Sequence, residues 1–134
     1  MSALRILGTG ARSGVQPSTI ARAFREVIGE DGPDGEPLDW ASVTFVHGDA
    51  PGFDKTAAAL ADILGMTVEA HPANGDPKGR NLHMVDLGAD VCIACATRWA
   101  SGTGHCARAA RRAGIPTFDY GVSTRMEDRP KGST

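Results

Sequence analysis

The sequence predicts an α/β fold in which a parallel sheet is covered by helices on both faces. Three observations predict it: short apolar runs of strand length recur five times along the 134 residues, patterns of helical period separate them, and glycine-rich loops follow the first four runs. Consecutive parallel strands need a crossover connection, and a helical pattern supplies one each time. We therefore expect about five mainly parallel strands in one sheet.

The predicted strands are the most apolar short segments of the chain. They cover residues 4–7, 43–46, 67–70, 91–94 and 117–118. The fourth run, DVCIACA, places Cys92 and Cys95 in a CxxC spacing. Because residues three apart on a strand point to opposite faces, we expect two separately buried thiols and no redox or metal pair.

The predicted helices cover residues 17–29, 53–65, 80–88 and 104–114. In the first helix Pro17 suits the opening turn, and an apolar stripe follows at helical spacing: Ile20, Ala23, Phe24, Val27 and Ile28. Gly65 and Gly114 are placed as C-terminal caps of the second and fourth helices. These patterns predict amphipathic helices that each bury one face on the sheet.

One domain is expected over residues 1–120, since a chain of this length can bury a sizeable core. Residues 30–39 are rich in glycine, proline and acid and predict a mobile excursion, while residues 121–134 predict a polar tail. Both segments stand outside the alternation of strands and helices.

Composition and charge narrow the class of protein. Lys and Arg number 14 against 16 Asp and Glu, and the net charge of -2 lacks the basic excess of a dedicated nucleic-acid binder. The N-terminal run MSALRILGTG has the pattern of neither a signal peptide nor a membrane span, and three cysteines form no disulfide framework. We expect a cytoplasmic protein that binds a small anionic ligand and neither a membrane nor nucleic acid.

The residues that carry chemistry collect in the loops that follow the first four strands. In a parallel sheet these loops share one edge, where ligands bind near the switch in strand order. The candidate ligand-binding residues are Gly8, Thr9, Gly10, Arg12, His47, Gly48, Gly52, Lys78, Arg80, Asn81, Ser101, Gly102, Thr103 and Gly104, and the candidate catalytic carboxylates are Asp49 and Asp54.

Each of these loops has two interpretations. Gly8 and Gly10 either let a backbone approach a phosphate, with Arg12 as a clamp, or form an unrelated GxG. Asp54 either caps a helix or accepts a hydrogen bond from a ribose hydroxyl. Trp99 either stacks on a base or covers the mouth of the site.

Two further groups of residues also have two interpretations each. Lys78, Arg80 and Asn81 either bind phosphate or keep a helix-entry loop soluble. His47 and His71 would need Asp49 or Asp54 to complete a metal site, and no tight ligand spacing such as HxxxH joins them. We therefore expect no metal and no cofactor.

The stretch SGTGHCARAARRAGIPT, residues 101–117, predicts a phosphate-binding turn. Small residues from Ser101 to Gly104 precede a helix, and the first amides of a helix are unpaired and lie at the positive end of its dipole. We expect a phosphate against the amides of Gly102 to Gly104.

Taken together in this order, GTGAR, HGDAPGFDKTA, RNLHM and SGTGHCARAARRAGIP resemble the SLOG superfamily, the Rossmann-like group named for Smf/DprA and the LOG proteins. The resemblance covers residues 5–120 and is greatest to the small stand-alone YspA-like branch. It implies a Rossmann-like three-layer sandwich that binds a nucleotide or nucleotide-derived ligand, with the phosphate at the GT turn. It also implies a homodimer, since LOG-like relatives are usually dimers.

One departure from the LOG pattern bears on catalysis. LOG enzymes hydrolyse the N-glycosidic bond of nucleoside monophosphates, with an Arg followed by a helical Met, approximately matched by Arg80 and Met84, and an essential Glu after the glycine turn. Here His105 and Cys106 stand two and three residues after Thr103, so that carboxylate is absent.

Because this carboxylate is absent, we rank three functional hypotheses. The first is a nucleotide sensor or sequestering module without turnover. The second is an N-glycoside hydrolase or transferase in which Asp49 or Asp54 replaces the missing group. The third is single-stranded DNA binding, as in DprA, for which the chain has few aromatic residues.

Overall fold

The computed structural model describes residues 3–12, 14–29, 39–96 and 101–120, and these residues form the predicted α/β fold. The strands are β1 (Leu4–Gly10), β2 (Val43–His47), β3 (Thr67–Ala70), β4 (Val91–Cys95) and β5 (Thr117–Tyr120). The helices are α1 (Pro17–Ile28), α2 (Phe53–Leu64), α3 (Pro77–Leu87) and α4 (Ser101–Arg112), and a single 3₁₀ turn covers Trp40–Ser42. Residues 30–38 of the predicted excursion at 30–39, Trp99 and the predicted tail at 121–134 lie outside the described residues.

All five described strands are parallel, in the order β3-β2-β1-β4-β5. This is a Rossmann-like order, in which the chain moves outward from β1 in one direction and then returns to continue on the other side of it. The strand order reverses between the neighbouring strands β1 and β4, and a crevice outside the carboxyl ends of these two strands is the expected ligand site.

The sheet divides the core into two apolar layers. The helices α1 and α2 pack on one face, where Phe24, Phe45 and Phe53 are fully buried. The helices α3 and α4 pack on the other face around Met84 and Cys106. The α1 stripe is confirmed: Ile20, Ala23, Phe24 and Ile28 are buried and Val27 is partly buried.

The two cysteines of the CxxC spacing lie in different layers. Cys95 belongs to the layer under α1 and α2, whereas Cys92 belongs to the layer under α3 and α4. Both are free thiols. The expectation of opposite faces is confirmed, because side chains alternate along β4.

Helix α3 begins three residues earlier than the predicted range of 80–88, so it includes Lys78 as well as Arg80 and Asn81. It begins at Pro77, where the side chain of Asp76 accepts a hydrogen bond from the backbone N–H of Gly79 at 3.0 Å. Proline suits the first helical position because its missing N–H would have no partner there. This cap places Lys78 in the first turn of α3.

Helix α4 also begins earlier than predicted, at Ser101. The stretch from Ser101 to Gly104 is therefore the first turn of the helix and not a turn that precedes it. Two glycines in four residues favour a turn on propensity alone, but packing of the helix against the sheet outweighs that preference. The unpaired amides of a helix N-terminus remain within this stretch.

Strands β1 and β2 extend further than predicted, because the backbone ladder continues through residues that are not apolar. Gly8 and Gly10 pair with Ile93 and Cys95 of β4, and His47 pairs with Ala70 of β3. The segment from Gly8 to Gly10 is thus the end of a strand and not a loop.

Within the described part of the chain, no helix has the length and apolar character needed to cross a membrane.

Candidate functional site

A cavity of about 620 Å³ lies at the carboxyl edge of the sheet, beside the ends of β1 and β4. Small-ligand sites typically have volumes of a few hundred to about a thousand Å³. The described residues that line this cavity are Gly8, Thr9, Gly10, Ala11, Arg12, Gly48, Ala50, Asp54, Pro77, Lys78, Arg80, Asn81, Met84, Ala96, Thr103 and His105.

Three helices begin at this cavity. Asp54 lies in the first turn of α2, Lys78 in the first turn of α3 and Thr103 in the first turn of α4, and all three residues line its wall. Each helix N-terminus carries partial positive charge and unpaired amides. The cavity therefore combines three positive dipole ends, an arrangement that favours an anion.

Three cationic side chains reinforce this field. Arg12, Lys78 and Arg80 all line the cavity, and Asp54 is the only carboxylate among its described lining residues. Lys78 is exposed, with no hydrogen bond or ion pair to another described residue. Its ammonium group is thus available to a ligand.

Arg80 is held in place by the backbone of two neighbouring loops. Its Nη1 donates to the carbonyl oxygen of Gly48 and, at 3.2 Å, to that of His71. Its Nε donates to Oδ1 of Asn81 at 2.7 Å. The guanidinium therefore fixes the loop after β2 against the end of β3 while it supplies charge to the cavity.

Asp54 is a buried carboxylate, 6% exposed, in the wall of the cavity. Its Oδ2 accepts hydrogen bonds from the backbone N–H groups of Gly48 and Ala50, each at 3.1 Å. It does not cap α2, because no side chain caps that helix. Burial raises the pKa of Asp54 to about 6, although the two amides and the charge of Arg80 act to lower it.

The other candidate carboxylate, Asp49, lies outside the set that lines the cavity. It forms an ion pair with Lys55 on the surface. The hydrogen bond from Lys55 lowers the pKa of Asp49, so this carboxylate is ionised and already paired. The geometry therefore distinguishes the two aspartates, because Asp54 lines the cavity and Asp49 does not.

His47 and Gly52 serve the local structure of the loop that carries Asp54. The His47 ring stacks on Phe45 with ring centroids 5.7 Å apart, and its Nδ1 accepts a hydrogen bond from the backbone N–H of Asp49 at 3.0 Å. Burial lowers the pKa of His47 and favours the neutral ring that this hydrogen bond requires. Neither His47 nor Gly52 lines the cavity.

Gly8 and Gly10 line the cavity but have a packing role that the GxG spacing did not indicate. A Cβ atom at Gly8 would collide with the Phe45 ring, and one at Gly10 would collide with Phe53 and lie 2.8 Å from the carbonyl oxygen of Cys95. These glycines let two aromatic rings pack directly on the strand.

At the start of α4, Thr103 is buried and lines the cavity, whereas Gly104 is buried but is not part of its wall. Ser101 and Gly102 lie in the same first turn, and the surroundings of these two residues lie outside the described part of the structure. The turn that the sequence singled out therefore does border the cavity.

Two residues of α4 that follow this turn have different environments. His105 lines the cavity, and its Nδ1 lies 3.3 Å from Nδ2 of Asn81. Cys106 is fully buried, and burial raises the pKa of its thiol to about 11. A thiolate at Cys106 is therefore disfavoured, which removes it as a source of negative charge near neutral pH.

Several lining residues were not among the candidate ligand-binding residues, although the LOG resemblance had matched one of them, Met84: Ala11, Ala50, Pro77, Met84, Ala96 and His105. Pro77 follows an Asp in a loop, which is a recognisable helix start. The small apolar residues have no chemical signature, and only the packing of the helices brings them to the wall. Among the described residues, no three His, Cys, Asp or Glu side chains come close enough to bind a metal ion.

Comparison with known proteins adds one relationship. The chain is 34% identical over 128 residues to the Gene 61 protein of Mycobacterium phage D29, and the match covers 87% of this chain and 96% of the phage protein. No protein-family model matches the chain. No solved structure matches it significantly.

Proposed function

We propose that this chain, which belongs to the family of the Gene 61 protein of Mycobacterium phage D29, binds a small ligand that carries a phosphate. The observation that carries the proposal is the convergence of three helix N-termini and three cationic side chains on one cavity. Aligned amides and cations stabilise an anion more strongly in a concave site than on an open surface.

The phosphate is proposed to lie against the first-turn amides of α4, at Gly102 to Gly104. Thr103 lines the cavity together with Ala96, the residue that follows β4, so this turn lies at the carboxyl edge of the sheet. Lys78 and Arg80 approach from the first turns of α3. A phosphate between α3 and α4 would therefore receive both backbone amides and charged donors.

The ligand is proposed to be a nucleotide or a nucleotide-derived molecule, for two reasons. The ordered motifs resemble those of the SLOG superfamily, whose Rossmann-like sheet binds such ligands. In addition, Asp54 offers a carboxylate oxygen that could accept hydrogen bonds from ribose hydroxyl groups. The cavity volume of about 620 Å³ is in the range of small-ligand sites.

Ligand binding is tested by thermal shift with nucleoside monophosphates, NAD, ADP-ribose, cyclic dinucleotides and inorganic phosphate. A ligand that binds the native state raises the unfolding temperature by mass action. For the best ligand, Lys78→Ala should weaken the affinity about threefold, because one exposed charge is lost, and the loss should shrink at high salt. Isothermal titration calorimetry measures it.

Arg112→Ala is the matched control, because Arg112 is exposed at the end of α4 and does not line this cavity. Its affinity should equal that of the wild type. Equal losses in both variants would show that net charge, and not this cavity, controls binding, and would contradict the proposal.

The second candidate function is hydrolysis or transfer at an N-glycosidic bond. The observation in its favour is Asp54, whose raised pKa and position in the wall are those expected of an acid catalyst. Against it stands the absence of a second carboxylate among the described lining residues. Such a reaction needs an anion beside the developing charge on the sugar as well as a proton donor.

We expect the wild-type protein to bind nucleoside monophosphates and to release little or no free base over many hours, as measured by chromatography. The Asp49→Asn and Asp54→Asn variants distinguish the alternatives, because only Asp54 lines the cavity. Rapid release by the wild type, lost in Asp54→Asn and kept in Asp49→Asn, would replace the binding function with the enzymatic one.

Three further expectations stay predictions. Single-stranded DNA binding remains the least supported, since the described lining residues include no Phe, Tyr or Trp on which bases could stack. A cytoplasmic location stays a proposal made from the sequence. The homodimer is proposed from the SLOG resemblance alone.

A further inference from the structure

A chain of polar contacts runs from α3 to α4 along the wall of the cavity. The Nε–H group of Arg80 donates to Oδ1 of Asn81 at 2.7 Å, and Nδ2 of Asn81 lies 3.3 Å from Nδ1 of His105. Asn81 is 3% exposed, and all three residues line the cavity. This chain of contacts therefore links the guanidinium of Arg80, which holds the two loops together, to the imidazole of His105, which lines the cavity.

The first contact fixes the orientation of the Asn81 side-chain amide. Arginine has no acceptor, so the atom of Asn81 that faces its Nε must be the carbonyl oxygen. Arg80 cannot move away easily, because its Nη1 is held by the carbonyl oxygens of Gly48 and His71. The Asn81 NH₂ group must then point towards α4.

The second contact fixes the tautomer of His105. An amide NH₂ group only donates, so Nδ1 of His105 must accept its hydrogen bond and cannot carry a hydrogen. In the neutral ring the hydrogen is then on Nε2. The atom that His105 has left for a ligand is thus a neutral N–H donor.

We propose that His105 donates a hydrogen bond through Nε2–H to an acceptor atom of the ligand, and that Asn81 is a positioning residue that holds His105 in this tautomer. The inference rests on the proposed function and deepens it. Lys78, Arg80 and the helix N-termini attract charge without distinguishing one anion from another. A neutral donor of fixed direction instead selects a ligand with an acceptor oxygen or ring nitrogen at that wall and disfavours one with an amino group there.

The tautomer is tested without any ligand, by long-range ¹H–¹⁵N correlation spectra of protein labelled with ¹⁵N-histidine. At about pH 8, where an ordinary imidazole is neutral, His105 should show the Nε2–H pattern. In Asn81→Asp the carboxylate can only accept, so the pattern should change to Nδ1–H. A wild-type His105 with hydrogen on Nδ1, or with equal populations of both tautomers, would overturn the inference.

The donor role is tested by binding of the best nucleotide from the thermal-shift panel. His105→Gln keeps an N–H near the position of Nε2, whereas His105→Asn places its amide near Nδ1. The first variant should retain the affinity within about twofold, and the second should lose roughly three- to tenfold, the usual effect of one hydrogen bond. Equal losses in both variants would remove His105 as a donor.

The positioning role is tested by a double-mutant cycle. Asn81→Leu, which adds no charge to the cavity, should weaken binding by no more than His105→Asn, and the double variant should be no weaker than His105→Asn alone. Losses that multiply would show that Asn81 acts on the ligand independently of His105. Urea unfolding of each variant confirms that the fold is retained.

Failure of the inference can be distinguished from failure of the proposed function. If no nucleotide binds the wild type, the proposed function and the donor role both fall, while the tautomer measurement still reports on Asn81. If nucleotides bind and the His105 variants have the same affinity as the wild type, the proposed function stands and this inference falls.

Discussion

Replacing Gly52 by alanine is expected to lower the free energy of unfolding by about 3 kcal/mol or more, as the sum of a strained backbone and a steric clash. Gly52 precedes α2 with φ of 79°, a conformation that L-residues rarely adopt. A Cβ atom there would collide with the carbonyl group of Arg12 and lie 2.6 Å from the carbonyl oxygen of Ala11. These are backbone atoms, which cannot rotate aside as a side chain would.

The clash has little room to relax, because the two segments are hydrogen-bonded to each other. The backbone N–H of Phe53 donates to the carbonyl oxygen of Ala11 at 3.0 Å, and the N–H of Ala11 donates to that of Cys95 at 2.9 Å. Moving the loop would break this connection between β4, β1 and α2. Urea unfolding monitored by circular dichroism measures the loss.

Gly75→Ala is the matched control for Gly52→Ala. Gly75 also has a positive φ, of 87°, but an added Cβ would meet nothing within 4 Å. Its substitution should therefore cost only the backbone term, about 1 to 2 kcal/mol. Similar losses in the two variants would show that the approach of Arg12 to Gly52 does not constrain the fold.

Replacing Asp54 by asparagine is expected to make the protein more stable relative to the wild type as the pH rises. Burial raises the pKa of Asp54 from 3.8 to about 6, so the folded protein holds this proton more tightly than the unfolded chain does. A raised folded pKa contributes stability that is fully present below pH 3.8 and is lost as the pH rises through about 6. Asparagine does not titrate, so the variant lacks this loss.

The difference in the free energy of unfolding between variant and wild type should therefore increase by about 3 kcal/mol from acid to slightly alkaline pH, on the scale of 1.36 kcal/mol per pKa unit. Urea unfolding across this pH range measures the increase. Asp49→Asn is the control, and it should show no such increase because the pKa of Asp49 is lowered by Lys55. A difference that stays constant with pH would show that folding does not raise the pKa of Asp54.

A buried carboxylate that lowers the free energy of unfolding near neutral pH is typical of a functional site. Buried charges without a full partner are costly, and stability is often lost where a site must be prepared for a ligand. Among the described residues, two backbone amides and the charge of Arg80 offset the burial of Asp54. Its stability cost and its position in the cavity thus support the same proposal.

Local pattern was enough to predict the elements of this fold. The five apolar runs and the stripe of α1 reflect a direct physical rule, that side chains alternate on strands and recur every 3.6 residues on helices. The same rule predicted that Cys92 and Cys95 lie in different layers, which is confirmed. The common edge of the loops followed from parallel topology, and it brought Arg12, Lys78, Arg80 and Thr103 to one cavity.

Other features depend on contacts between residues far apart in the chain. Asp49 and Asp54 are near neighbours in sequence and have the same chemistry. The packing of α2 nevertheless buries Asp54, whereas Asp49 forms a surface ion pair with Lys55. The packing role of Gly10 depends on Phe53, a residue of α2 that packs directly on β1. Asn81 and His105 are 24 residues apart, and only the packing of α3 beside α4 brings their side chains together. The periodicity of the sequence predicts which face of a strand or helix a residue occupies. The atoms that its side chain contacts there depend on how the helices pack against the sheet and against each other.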